Sequence, residues 1–167
     1  NWAYERQKND IGRRVTNYGG YQSDDIRKGV SPQIDKLVDH LNQEVKAISK
    51  QVSLPELELK NIWLNINPPG SYNELHTHAD AVLSGVYYVE ATKMQGNIQF
   101  ERSDNAEYHL PLYIEKPNYF NSTRATYAGK TGGLYIFPGW LKHSVQGNQS
   151  NTDRISISFN FGEKNEA

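Results

Sequence analysis

Hydrophobic positions follow two different periods along this chain, and the change comes near Pro55. Before it, Ile34, Leu37, Val38, Leu41, Val45 and Ile48 recur at intervals of three, four and seven, which puts one apolar stripe on a helix. Ser31 is suited to cap that helix and Pro32 to occupy its first turn, so the pattern predicts a helix over 31–50. After Pro55 the period shortens. Leu57–Asn67 alternates, with Leu57, Leu59, Asn61 and Trp63 opposed to Glu58, Lys60 and Ile62, and Pro68-Pro69-Gly70 stops it. Further strand-length apolar segments follow at Val82–Val89, Gly96–Phe100, Leu110–Ile114, Leu134–Phe137 and Ile155–Phe161. Gly129–Gly133 and Gly147–Asn151 read as hairpin loops. Residues 1–30 are polar with turn signals, and read as a loop or flexible arm with room for one short strand. Glu163–Ala167 reads as a frayed end.

The sum is a mainly β chain of jelly-roll type with an N-terminal helix packed on an outer sheet face. One domain is expected over residues 1–167, with a helical and loop segment at 1–54 and a β core at 55–162. A chain of this length buries about 70% of its unfolded surface. The 11 tyrosines, 13 glycines and 7 prolines agree with a strand-and-turn protein.

Charge and composition remove several function classes. The 18 Lys and Arg nearly cancel the 19 Asp and Glu, and no block of like charge exists, which argues against duplex nucleic acid as a partner. No apolar run approaches the ~20 residues of a membrane span. The absence of cysteine excludes disulfides, iron–sulfur clusters, thiolate zinc sites and a cysteine nucleophile, and fits a reducing, cytoplasmic setting. The chain begins at Asn1 rather than Met, as a trimmed chain would, and no signal peptide is visible.

Three of the five histidines carry the candidate chemistry. His76, His78 and Asp80 occupy alternate positions, so an extended backbone would turn all three to one face. His143 follows a strand and a Pro-Gly turn, where the mouth of a barrel could bring it to the others. Two closely spaced ligands with a distant histidine is the sequence form of a facial non-haem iron site. The bland reading of the same residues is a polar loop. His40 sits beside the helix stripe and reads as a surface residue, and His109 as a loop residue. Arg154, Ser156 and Ser158 share one face of a strand whose other face is Ile155, Ile157 and Phe159. That polar face points either to solvent or into a polar cavity, where the arginine fork could take a carboxylate and the hydroxyls add donors.

Taken together, these pieces resemble the 2-oxoglutarate/Fe(II)-dependent oxygenase superfamily. They are most similar to a subfamily from bacteria and phages. The resemblance runs from Trp63 to Phe161 through Trp63-Leu-Asn65, Gly70, His76-Thr-His78 and Ser84-Gly-Val-Tyr-Tyr88. It continues through Phe137–Val145 and Arg154-Ile-Ser-Ile-Ser-Phe-Asn160, with Gly19-Gly-Tyr-Gln-Ser23 as a weaker N-terminal match. It implies a double-stranded β-helix with Fe(II) at its mouth and 2-oxoglutarate as cosubstrate, its distal carboxylate on Arg154. Tyr88 and Asn65 would line the same cavity, Tyr88 having a core aromatic role as its alternative. The activity implied is hydroxylation of an unactivated C–H bond with release of succinate and carbon dioxide.

Two ligand registers stay open. His78 with Asp80 and His143 would form the ordinary triad. His76 with His78 in the carboxylate's place agrees with the six-residue spacing from Gly70. Because histidines ligate when neutral, activity should fall below about pH 6. A cupin-like metalloprotein that does not use 2-oxoglutarate and a carbohydrate-binding jelly roll are the competing readings. The substrate, a small molecule or a side chain, and the oligomeric state are not encoded in these patterns. The excursion Ser103–Thr131, with Tyr108, Tyr113, Tyr119 and Arg124, reads as a lid or substrate loop.

Overall fold

The structure, a computed structural model, describes residues 2–105, 110, 113–118 and 120–164. It opens with a short helix α1 (Trp2–Asn9) and two two-residue strands, β1 (Asn17–Tyr18) and β2 (Tyr21–Gln22). Helix α2 (Pro32–Gln51) follows. Eight strands complete the chain: β3 (Leu57–Asn67), β4 (Tyr72–His76), β5 (Leu83–Glu90), β6 (Ile98–Glu101), β7 (Arg124–Tyr127), β8 (Leu134–Pro138), β9 (His143–Val145) and β10 (Arg154–Glu163). They form two antiparallel five-stranded sheets, a major one ordered β2-β3-β10-β5-β8 and a minor one ordered β1-β4-β9-β6-β7.

From β3 onward the chain changes sheet at every connection except β6 to β7, which is the winding of a double-stranded β-helix. Neither Gly129–Gly133 nor Gly147–Asn151, expected as hairpin loops, is one. Gly129–Gly133 carries the chain from β7 in the minor sheet to β8 in the major one, and Gly147–Asn151 likewise joins β9 to β10. Glycine and polar residues mark a reversal of the chain, but its partner strand is set by packing. The first crossing bonds to the end of β5, through Gly132 N–H to the Tyr88 carbonyl at 2.8 Å. The second bonds to the Gly70–Ser71 turn, through Gly70 N–H to the Asn148 carbonyl at 2.7 Å.

Helix α2 forms where the apolar stripe predicts it, and Ser31 Oγ caps it by accepting from the Ile34 amide at 3.2 Å. Ile34, Val38, Leu41 and Val45 are buried against Ile62, Leu64, Ile66, Ile155, Ile157, Phe159 and Phe161 on the outer face of the major sheet. Each such side chain contributes about 1.5–3 kcal/mol over remaining exposed. His40 lies exposed on the helix, 3.9 Å from Glu44.

Strand β3 does not alternate uniformly as expected. Lys60 is an unpaired extra residue, since Asn160 pairs with Asn61 and Phe161 with Leu59. This bulge flips the pleat, so Leu57 and Leu59 join Ile62, Leu64 and Ile66 in the helix-side core, while Trp63 and Asn65 line the interior.

The N-terminal segment is more ordered than its polarity suggests. Trp2, Ala3 and Tyr4 of α1 pack on the helix-side core, and Tyr4 Oη donates to Asp153 at 2.9 Å. Strand β2 extends the major sheet by pairing with β3. The strand expected at Leu110–Ile114 falls partly outside the described residues, and Leu110, Tyr113 and Ile114 lie in no strand. Tyr108, His109 and Tyr119 also lie outside them. Arg124, expected in the excursion, begins β7 at the edge of the minor sheet. No described helix is long and apolar enough to cross a membrane.

Candidate metal and cosubstrate site

The two sheets face one another across a second apolar cluster, Val86, Tyr88, Ala91, Ile98 and Phe137, and a polar cavity opens beside it. Strands β4 and β9 of the minor sheet pair so that His76 stands directly opposite His143. A bulge in β4 between Asn73 and His76 sets the direction of the histidine. His78 follows two residues later, its amide donating to the Gly139 carbonyl at 2.8 Å. The three imidazoles converge. One nitrogen from each lies within 4.8 Å of the other two, and the ring centroids are 4.2–5.1 Å apart.

Each ring is oriented through its Nδ1. His76 Nδ1 lies 2.7 Å from the Glu74 carbonyl, and His143 Nδ1 lies 2.9 Å from the Leu141 carbonyl. His78 Nδ1 lies 2.5 Å from Asn160 Oδ1, which also accepts from Ser84 Oγ at 2.8 Å. A carbonyl oxygen can only accept, so each Nδ1 carries the proton and each Nε2 keeps its lone pair. Burial dominates the protonation. It pushes His143 down to about 4 against the opposing hydrogen bond to Leu141, and the fields of His76 and His78 add to the lowering. It lowers His76 and His78 in the same way, over the opposing bonds to Glu74 and Asn160. Three neutral, pre-oriented imidazoles can hold a divalent metal.

Asp80 stands outside this group. The chain is not extended through it, because Ala81 N–H turns back to the His78 carbonyl at 3.2 Å. That turn carries Asp80 off the face shared by His76 and His78 and leaves it exposed.

Across the cavity, the inward face of β10 presents Arg154, Ser156 and Ser158. Arg154 is 1% exposed and Ser156 5%, so this polar strand face lies in the interior rather than in solvent. Asn65 pairs with Ser156 across the sheet, and its Nδ2 donates to Ser158 Oγ at 3.0 Å. Arg154 donates through one terminal nitrogen to the Gln95 carbonyl, and to the Gln146 carbonyl at 3.4 Å. Among the described residues no carboxylate pairs with it. Burial lowers its pKa, while Tyr88 opposes the shift. Tyr88 is fully buried and its hydroxyl has no hydrogen-bond partner. Burial raises that phenol to about 12, so it remains a neutral donor. The cavity spanning these groups and the three histidines is narrow, about 50 Å³. Gly96 helps keep room at its end. With φ +93°, it lies where a Cβ would meet the Arg154 guanidinium at 2.6 Å.

Three contributors escaped the reading of candidate residues. Ser84 and Asn160 hold His78, and strand parity would have found them, since Ser84 shares a face with Tyr88 and Asn160 with Arg154. Gln22 reaches the cavity from β2, and its signal was the Gly-Tyr-Gln-Ser stretch.

The sequence model of the family described as "Putative 2OG-Fe(II) oxygenase" matches residues 61–160. The chain belongs to the 2-oxoglutarate/Fe(II) oxygenases. The family's cofactors are Fe(II) and 2-oxoglutarate, and the convergent histidines suit the metal. Solved structures share this oxygenase's fold. A prolyl-4-hydroxylase of Pseudomonas putida superposes with a TM-score of 0.71 at 15% identity, over 98% of this chain and 83% of that one. The α-ketoglutarate-dependent epimerase SnoN of nogalamycin biosynthesis gives 0.70 at 16% identity, over 97% and 71%. HygX of Streptomyces hygroscopicus, crystallised with nickel and 2-oxoglutarate, gives 0.66 at 12% identity, over 96% and 76%. No curated protein sequence matches the oxygenase. The comparisons do not favour a cupin-like protein without 2-oxoglutarate or a carbohydrate-binding module.

Proposed function

We propose that this oxygenase hydroxylates a small molecule or a side chain, with His76, His78 and His143 holding Fe(II) through their Nε2 atoms. In this reading Arg154 receives the distal carboxylate of 2-oxoglutarate, with Tyr88 and Ser156 as neutral donors beside it. The observation that carries the assignment is Arg154 itself, a guanidinium 1% exposed with no carboxylate partner among the described residues. A buried cation without a counter-charge is costly, and an anionic cosubstrate removes that cost. The orphaned Tyr88 hydroxyl gains an acceptor from the same ligand. Asn65 keeps Ser158 oriented along the same wall.

The metal ligands fit the charge of the cosubstrate. Three neutral imidazoles leave the iron its full charge, so one carboxylate of the dianion is met at the metal and the other at Arg154. Bound together, Fe(II), 2-oxoglutarate and dioxygen supply the oxidising power. One oxygen atom goes to the substrate C–H bond as hydroxyl and the other to succinate, with carbon dioxide released. The protein's part is to fix the ligand tautomers, hold the dianion and keep bulk water from the narrow cavity. A cytoplasmic setting belongs to this reading, since a chain without cysteine makes no use of an oxidising compartment.

The test is anaerobic titration of metal-stripped protein with Fe(II), with and without 2-oxoglutarate, watched for the weak visible charge-transfer band of the chelated 2-oxo acid. The band should need both additions, weaken in Arg154→Ala and His143→Ala, and persist in Asp80→Asn. Iron binding with no response to 2-oxoglutarate would overturn the reading. Loss of the band in Asp80→Asn would overturn the three-histidine ligand set.

A further inference from the structure

A second, wider pocket of about 470 Å³ lies on the outer side of His76 and His78, walled by the N-terminal segment and the turn after His78. It is separate from the narrow cavity that holds Arg154, but Gln22, Trp63, His76 and His78 line both. Gln22 is 7% exposed and its side-chain amide makes no hydrogen bond within the described residues, so it can meet a ligand where it lines the pocket.

The pocket wall carries two cations and one carboxylate, and both cations are already paired. Arg13 is bound by Asp25 at 2.8 Å and by Asp24 at 3.3 Å, and Lys60 by Glu58 at 2.6 Å. Asp80 has no ion-pair partner among the described residues. The half-buried Trp63 adds an indole face whose ring centroid is 6.0 Å from that of His78. A free carboxylate and an aromatic face, beside the Gln22 amide, make a receptor for a cation carrying N–H donors.

We propose that this pocket is the substrate subsite and that it selects an ammonium-bearing substrate, with Asp80 accepting from the ammonium and Trp63 packing on the neighbouring carbon. Gln22 fixes the substrate at the boundary between the pocket and the cosubstrate cavity. The substrate role rests on the oxygenase reading above, because that reading makes the adjoining histidines the reactive centre.

The probes are n-butylammonium, n-butanol and butyrate, titrated into the ¹⁵N-labelled full chain. The readout is the Trp63 indole N–H cross-peak, assigned by its loss in Trp63→Phe. Butylammonium should bind about tenfold more tightly than the other two, the combined scale of one cation–π contact and one exposed ion pair. Asp80→Asn should remove that preference, and Gln22→Ala should weaken binding of all three probes. Equal or tighter binding of butyrate or butanol, or a preference that survives Asp80→Asn, would overturn the inference. The charge-transfer band, measured on the same samples, keeps the two proposals apart. Its absence from the wild type defeats the oxygenase site assignment without altering the titration. Its presence beside a failed titration defeats the ammonium subsite alone.

Discussion

Removing the titration of one buried imidazole should change how the stability of this protein depends on pH. In the metal-free folded chain His143 is 4% exposed, and burial pushes its pKa down to about 4. In the unfolded chain the same ring titrates near the ordinary value of 6.5. Between these values the unfolded state takes up a proton that the folded state refuses. The stabilising contribution is therefore complete above about pH 6.5 and is lost as the pH falls toward 4. Integrated from about pH 7.5 down to about pH 5, one such group costs about 2 kcal/mol of folding stability. His76 and His78 are shifted in the same direction for the same reason and steepen the loss. The assay is urea unfolding of chelator-treated protein at the two pH values, for the wild type and for His143→Gln. Carboxylates that titrate over this range do so in both proteins, so the difference between the two pH dependences isolates the imidazole. The variant should lose about 2 kcal/mol less than the wild type on acidification. Identical pH dependences would show that His143 is not held neutral by burial, and would remove the basis for three preformed Nε2 ligands.

Two further outcomes follow from packing and orientation. Gly85 faces Phe159, and a Cβ there would stand 2.3 Å from the ring and 2.7 Å from the Tyr135 carbonyl. Gly85→Ala should therefore cost about 3 kcal/mol, roughly 6–12 °C in Tm by calorimetry, and a Tm within about 2 °C of wild type would show that the ring yields. Asn160→Leu deletes the acceptor that holds His78 Nδ1 at 2.5 Å, so Zn(II) affinity by competition titration should fall about 10–100-fold, and a change below about twofold would show that the ring is fixed by other contacts.

The helix and the major sheet were legible because their residues face two different environments. The stripe from Ile34 to Ile48 and the alternation in Arg154–Phe159 record an apolar side and a polar side, and the structure uses both. The minor sheet left a weaker trace. Arg124–Tyr127 is exposed throughout and Tyr72–His76 has no fully buried residue, so neither alternates. These strands exist through pairing across the sheet, which single-residue hydropathy does not encode. Helix α1 was missed for a similar reason. Only Ala3 of its eight residues is buried, and its order comes from Trp2 and Tyr4 docking on the core. At the site, period-two reasoning brought His76 and His78 together but carried Asp80 along with them. The turn closed by Ala81 interrupts the period two residues too early for that.

The alternating winding of the strands has a consequence for how the two halves of the site are held in relation. Candidate metal ligands come from the minor sheet, on β4 and β9 with the residues just after β4. The buried cation and phenol come from the major sheet, on β10 and β5. Nothing within either sheet alone fixes the gap between an imidazole and the guanidinium. The contact of His78 with Asn160 of β10 and Ser84 of β5 crosses that gap. It ties a minor-sheet ligand to two major-sheet strands through hydrogen-bonded side chains, a shorter link than the loops provide. A dianion that spans metal and arginine needs that gap to be constant to within a fraction of a hydrogen-bond length. Loosening the tie should therefore weaken 2-oxoglutarate binding as well as metal binding, although Asn160 need touch neither ligand.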